Sequence, residues 1–160
     1  MFRVGFGFDA HKFSADKKLI LGGVEIPYDL GLTGHSDADV LTHAICDALL
    51  GAMGDGDIGT HFPDSDPKYK GISSLVFLSD ILKLLKERGY GIQNIDSVIV
   101  CEKPRIVPHV PAIKKKLSRI TGLSEIALGI KATTTDSMGF TGRGEGIAAY
   151  AVALIKSSAA

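Results

Sequence analysis

The sequence predicts an α+β fold in a single domain, and three observations carry that prediction. Its 160 residues fit one domain. Segments of strand character and segments of helical period are intermixed without strict alternation, which disfavours a doubly wound sheet. The 19 glycines and 6 prolines fall mostly between those segments, where turns belong.

The elements follow in chain order. Arg3–Phe8 places apolar Val4, Phe6 and Phe8 at alternate positions, a strand pattern. Leu19–Leu21 and Val24–Ile26 flank Gly22-Gly23, a short hairpin. From Asp39 to Met53, Val40, Leu41, Ala44, Ile45, Ala48 and Leu49 recur at helical spacing, and Gly54 and Gly56 end the helix. Residues Gly59–Gly71 hold two prolines and several turn formers, hence a loop. Ser73 or Ser74 caps a helix that runs to Arg88, with Leu75, Leu78, Leu82 and Leu85 inward and Gly89 as its stop. Ile92–Val100 is a strand rich in Ile and Val, a helix spans Pro111 to Thr121, and Ile126–Thr134 and Ile147–Ile155 are strands.

Composition excludes several classes. Lys plus Arg is 18 and Asp plus Glu is 18, so the chain lacks the basic surplus of a nucleic-acid binder. No apolar run reaches the roughly 18–20 residues of a membrane span, and Met1–Gly5 does not read as a secretory signal. Cys46 and Cys101, far apart and in apolar surroundings, read as reduced thiols of a cytoplasmic protein.

Five constellations carry chemistry. Asp9-x-His11 sits at the end of the first strand, where alternate residues share a face and both side chains can converge on one cation. Alone, the pair also reads as a turn-capping aspartate beside a surface histidine. His35-Ser36-Asp37-Ala38-Asp39 leads into the helix bearing His43 and Asp47. Asp39, His43 and Asp47 recur every fourth residue on what reads as a polar face. His43 is thus a third ligand candidate, with Asp39 or Asp47 orienting its second nitrogen. Asp, His and His leave an open position on zinc, the pattern of a catalytic site. A solvated face with charge pairs is the competing reading.

Gly54-Asp55-Gly56-Asp57-Ile58-Gly59 matches G-x-G-x-x-G, but it follows a helix and enters a loop, the reverse of a dinucleotide fingerprint. Cys101-Glu102-Lys103-Pro104-Arg105-Ile106-Val107 joins a strand to a helix, where backbone groups suit anions or base edges and where a proline-stiffened connection is the plainer reading. Thr133-Thr134-Thr135-Asp136 offers hydroxyls and amides for phosphate and a carboxylate for magnesium, or simply an exposed strand. The glycines at 5–7, 54–59 and 139–146 then map where substrate and cavity are expected.

Gly-Phe-Gly-Phe-Asp-Ala-His (5–11), His-Ser-Asp-Ala-Asp-Val (35–40) with His43, Gly-Asp-Ile-Gly followed by Phe-Pro-Asp-Ser-Asp-Pro (56–67), and the run from Lys131 to Gly146 together resemble the 2-C-methyl-D-erythritol 2,4-cyclodiphosphate synthase family, in family order along the whole chain. The resemblance implies a mixed sheet with helices packed on one face, residues 1–160 forming one domain, and sheets assembled around the axis of a homotrimer. It implies a metal-dependent lyase of non-mevalonate isoprenoid synthesis. The substrate's 2-phosphate attacks the β-phosphorus of 4-diphosphocytidyl-2-C-methyl-D-erythritol 2-phosphate, and CMP leaves. A zinc-dependent phosphohydrolase and a non-catalytic trimer that binds isoprenoid diphosphates are the alternatives.

By position, the resemblance implies zinc at Asp9, His11 and His43, and magnesium or manganese at Asp136. It makes His35 and Thr134 transition-state groups, with Ser36 helping to hold phosphate and Ala10 among the substrate-binding residues. Asp57, Ile58, Gly59, Phe62, Pro63, Asp64, Ser65 and Asp66 are implied to hold the methylerythritol and ribose hydroxyls. Cys101, Glu102, Lys103, Pro104, Arg105, Ile106 and Val107 form the implied cytosine pocket. Thr133, Thr135, Phe140 and Arg143 complete the implied ligand contacts, and Arg143 with Glu145 borders a central cavity for an isoprenoid diphosphate. Asp136, Arg105 and Phe6 stand where Glu, Lys and His are frequent in the family.

Overall fold

The computed structural model describes residues 1–158. Its strands are β1 (Phe2–Ser14), β2 (Leu19–Leu21), β3 (Val24–Ile26), β4 (Gly31–Leu32), β5 (Tyr90–Val100), β6 (Leu128–Thr133) and β7 (Gly146–Ser157). Its α-helices are α1 (Val40–Met53), α2 (Ile58–His61), α3 (Ser74–Glu87), α4 (Val110–Thr121) and α5 (Gly139–Gly142). The main sheet has the order β4-β1-β7-β5-β6, antiparallel except for the parallel β5–β6 pair, and β2–β3 forms a separate hairpin. The fold is the expected α+β mixed sheet.

One face of the sheet carries the core. β7 lies in the middle, paired with β1 from Phe2↔Lys156 to Lys12↔Gly146 and with β5 from Tyr90↔Ser157 to Val100↔Ala148. Strand alternation sends Ile147, Ala149, Ala151, Ala153 and Ile155 inward, all buried. α1 packs on β1 and β7, α3 on α1, and α4 on β6 and α3. The opposite face keeps Phe2, Val4, Phe6, Phe8, Tyr150 and Val152 exposed.

Two glycines set how close the layers come. A Cβ at Gly5 would fall 1.9 Å from the Ala48 carbonyl oxygen, and one at Gly7 would fall 2.0 Å from that of Ala44. These glycines therefore admit α1 to β1 and do not face a ligand, which corrects the glycine map for this stretch.

α1 is buried on nearly all sides rather than amphipathic, because it is covered by the sheet on one side and α3 on the other. Asp39 is its N-cap and is fully buried. Its carboxylate accepts from Thr42 N (3.0 Å), Thr42 Oγ1 (2.7 Å), Gly22 N (2.9 Å) and Gly23 N (2.6 Å), so one side chain starts the helix and clamps the β2–β3 turn. Burial pushes its pKa up against those donors.

Other expectations shift. The first strand runs on to Ser14, so Asp9 and His11 lie within a paired strand and not at its end. The stretch expected as a loop over Gly59–Gly71 instead begins inside α2 and holds a 3₁₀ turn at Pro67–Tyr69. The sixth strand starts at Leu128, after a 3₁₀ turn over Glu125–Ala127.

Candidate active site

Asp9 and His11, two apart on β1, meet His43 from the start of α1. Asp9 Oδ2 lies 2.8 Å from His11 Nε2 and 2.9 Å from His43 Nδ1, and the two ring nitrogens are 3.1 Å apart. All three side chains are at least three-quarters buried. Burial alone would raise the Asp9 pKa, but hydrogen bonds and charge from His11 and His43 hold it well below the usual carboxylate range. Burial likewise works against the charged form of His43, yet the Asp9 carboxylate lifts its pKa above the ordinary histidine value.

This donor set fits a metal. Three groups that can each offer one ligand atom converge within one coordination sphere. The chemistry, one carboxylate and two imidazoles, is that of catalytic zinc. His43 Nε2 is engaged on its other side by Ser74 Oγ (2.8 Å) and Ser36 Oγ (3.1 Å). Nδ1 and the Asp9 carboxylate then face each other as two acceptors and need a cation between them, a proton or a metal. The orienting group is therefore neither Asp39, which caps α1, nor Asp47, whose Oδ1 accepts from Ile58 N at 2.8 Å.

The triad opens into a cavity of about 230 Å³. His35, Ser36, Ile58, Gly59, Phe62 and Asp64 line it, joined by Gly34, Asp47, Tyr69 and Phe77. Phe62 stacks on Phe77 at 4.6 Å between ring centroids, and Tyr69 meets both edge-on at 5.5 Å. His35 Nε2 sits 3.4 Å from the Asp66 carbonyl oxygen. Asp57 does not line the cavity: its Oδ1 caps α2 through Thr60 N and Thr60 Oγ1, both at 2.8 Å. Pro63 and Ser65 are exposed, and Asp66 caps the 3₁₀ turn through Lys68 N.

A separate cavity of about 300 Å³ is lined by Cys101, Glu102, Pro104, Arg105, Ile106, Val107, Thr133 and Thr134, with Ala132. Lys103 is exposed, and its bond to Pro104 is cis. Glu102 does more than lend backbone here. Its Oε1 accepts from Thr135 N and Ser137 N, both at 3.2 Å, and so straps down the turn in which Asp136 (φ 50°) and Ser137 (φ 64°) are left-handed. Thr134 Oγ1 donates to Asp136 Oδ1 at 3.3 Å. Thr135 and Phe140 border a further hollow beside Tyr150, Ala10 shares another with His11 and Phe140, and Arg143 Nε pairs with Glu145 Oε1 at 2.6 Å on the surface.

Most of the expected site residues that line a cavity thus fall into two separate groups. The cavity with the triad and His35 shares no lining residue with the cavity that holds Thr134 and the 101–107 loop.

Over residues 2–156 the sequence matches the YgbB family. The chain belongs to the YgbB family. A YgbB relative from Syntrophus aciditrophicus, named 2-C-methyl-D-erythritol 2,4-cyclodiphosphate synthase, is 55% identical over 156 residues, 98% of each chain. The structure of a bifunctional enzyme from Campylobacter jejuni superposes with a TM-score of 0.94 at 38% identity, covering 98% of this chain and 42% of that one. A cyclodiphosphate synthase structure in a CDP-bound form matches with a TM-score of 0.89 at 36% identity, covering 96% of this chain and all of the other.

Within this YgbB chain, the site residues that pattern reading missed are Ser74, Tyr69 and Phe77. Phe77 lies on the buried side of α3, and its apolar type gave no hint of a cavity. The Ser73-Ser74 pair did carry a signal, since only one serine is needed as a cap: Ser73 takes that role, with Leu75 N at 3.4 Å, and leaves the Ser74 hydroxyl free for the triad.

Proposed function

We propose that this YgbB-family protein forms 2-C-methyl-D-erythritol 2,4-cyclodiphosphate from 4-diphosphocytidyl-2-C-methyl-D-erythritol 2-phosphate and releases CMP, as a metal-dependent lyase of the cytoplasm. The observation that carries this reading is the buried Asp9/His11/His43 triad opening on a cavity, in a chain whose full-length relative bears that synthase name. An oxygen of the 2-phosphate bonds to the β-phosphorus. The bond from that phosphorus to the bridging oxygen breaks, and its electron pair leaves on CMP.

Asp9, His11 and His43 would hold zinc and Asp136 would hold magnesium or manganese, and these ions would supply Lewis-acid polarisation and charge neutralisation to the phosphate oxygens. The protein's own groups do the positioning, which is most of catalysis in phosphoryl transfer. His35 and Ser36 border the triad and orient the phosphate there. Ile58 and Gly59 hold the methylerythritol hydroxyls with backbone, and the Phe62–Phe77 wall keeps water from the β-phosphorus. Thr134 and Asp136 serve the diphosphate, and the 101–107 loop serves the cytosine.

The two groups of residues complete one site when the triad of one chain meets the cytidine loop of another. The exposed apolar sheet face supports a contact between chains, and the family resemblance makes that assembly a homotrimer with an active site at each junction and an axial cavity for an isoprenoid diphosphate.

The test is incubation with the diphosphocytidyl substrate in water enriched in heavy oxygen, followed by phosphorus NMR and mass analysis. Cyclic diphosphate and CMP without incorporated isotope are expected. A linear phosphorylated product carrying the isotope would establish hydrolysis instead.

A further inference from the structure

His43 aims Nδ1 at the triad, and its other ring nitrogen ends in a chain of buried polar groups. Ser74 is fully buried, and Ser36 and His43 are each 9% exposed. The single hydroxyl proton of Ser74 is committed, because Asp37 Oδ1 lies against it in a short hydrogen bond and a carboxylate only accepts. Ser74 Oγ must therefore accept from His43, 2.8 Å away, which makes Nε2 the protonated nitrogen.

Asp37 is itself held on several sides. Its Oδ2 accepts from Ser74 N at 3.1 Å, its Oδ1 accepts from Asp39 N at 3.3 Å, and its own N–H donates to the Ile72 carbonyl at 3.0 Å. Phe77 lies beside the imidazole, with its ring centroid 6.3 Å from that of His43. A capping role does not account for the Ser74 hydroxyl, since Ser73 already caps α3.

We propose that Ser74 and Asp37 are positioning residues that lock His43 in its Nε2–H tautomer and so present an Nδ1 lone pair to the metal. The inference rests on the triad's being a metal site. A free imidazole samples both tautomers, and the wrong one points an N–H at the ion. A hydroxyl that can only accept, backed by a carboxylate that cannot donate, removes that choice. It also makes the liganding nitrogen more basic, as outer partners of metal-bound histidines do. The consequence reaches across the fold: the start of α3, 31 residues beyond His43, sets the metal affinity of a site built on β1 and α1.

The experiment measures zinc affinity of the full-length protein by competition with a chromophoric chelator at fixed pH. Ser74→Ala is expected to weaken zinc about 10–100-fold, and Asp37→Asn, which keeps an acceptor but loses the charge, about 10-fold. Ser74→Thr retains the hydroxyl and stays near the parent. Ser73→Ala, which removes the true cap of the same helix, stays within about twofold of the parent, inside the spread ordinary for a substitution away from the ligands.

In the zinc-loaded parent, a slowly exchanging imidazole N–H resonance assigned to His43 is expected, and Ser74→Ala should lose it. If the parent takes up zinc while Ser74→Ala and Asp37→Asn bind it as tightly as the parent, the relay is overturned and the metal site stands. If the parent takes up no zinc, the metal site falls and the relay with it. Should Ser74→Ala not fold, Asp37→Asn decides by the same measure.

Discussion

Cys101 shows how burial sets the behaviour of a single group. It lines the proposed cytosine pocket, yet burial, with the nearby Glu102 charge, pushes its thiol up to about 11. Thiolate is the reactive form, so near pH 8 it holds roughly 100-fold less of it than an unperturbed thiol. Cys46 is fully buried inside α1, and burial pushes its thiol well above the ordinary range too. Iodoacetamide at about pH 8 should leave both cysteines unmodified in the folded protein and alkylate both in guanidinium, as read by mass spectrometry. Between about pH 7 and 9 the slow Cys101 rate should rise tenfold per pH unit. Rapid alkylation of Cys101 at neutral pH would contradict its surroundings. The reduced state of both cysteines was legible from their spacing and apolar neighbours. The convergence of Asp9, His11 and His43 was legible as well, because Asp9-x-His11 follows the strand period and His43 stands at a helix start. Asp39 and Asp47 were misread. Spacing on a helix reports which residues share a face but not what covers that face, and here Asp39 answers to the Gly22-Gly23 turn and Asp47 to Ile58.

Among the elements, the contact between β1 and α1 is the tightest constraint, and Gly7 tests it. An added methyl would meet the Ala44 carbonyl oxygen, Ala48 N and the Ala44 carbonyl carbon, all backbone atoms that cannot rotate away. Gly7→Ala is expected to lower stability by about 3 kcal/mol, the upper range for overpacking a core. Gly91→Ala, where a Cβ meets nothing within 4 Å, should stay within about 0.5 kcal/mol of the parent. Urea unfolding reads both, and a Gly7→Ala midpoint equal to the parent's would mean that the layers separate freely. Elements specified by their own residues were readable in advance: the β2–β3 hairpin by its Gly22-Gly23 turn, and α1 by its run of apolar residues between Asp39 and Gly54. Elements specified by distant partners were not. β4 is two residues that exist as a strand because Phe13 and Ser14 pair with them, and α2 is one turn held by the Asp57 cap and by Asp47. The overrun of β1 past Phe8 has the same origin, since β7 supplies partners as far as Lys12.

At the scale of the whole molecule, the sheet has one face too many. Phe6 pairs across strands with Val152 and Phe8 with Tyr150, and Phe8 and Tyr150 meet at 4.8 Å between ring centroids, yet all four remain exposed at 38–62%. Contiguous apolar surface of this kind marks an interface. The division of the proposed site points to the same interface, because the triad and the 101–107 loop open into cavities with no common residue. On the proposed reading a complete site needs two chains, whereas a metal at the triad needs only one. The two requirements separate in a single experiment. Sedimentation of the parent should give three times the 16.9 kDa chain mass. Phe6→Asp combined with Val152→Asp places like charges directly opposite each other on the apolar face and should give the single-chain mass. That monomer should still bind zinc with parental affinity, because Asp9, His11 and His43 lie together in one chain. It should release no CMP from the diphosphocytidyl substrate, because Thr134, Asp136 and the 101–107 loop no longer reach the triad. A monomer that turns over at the parental rate would mean that one chain closes the site by itself, and the apolar face would then need another purpose.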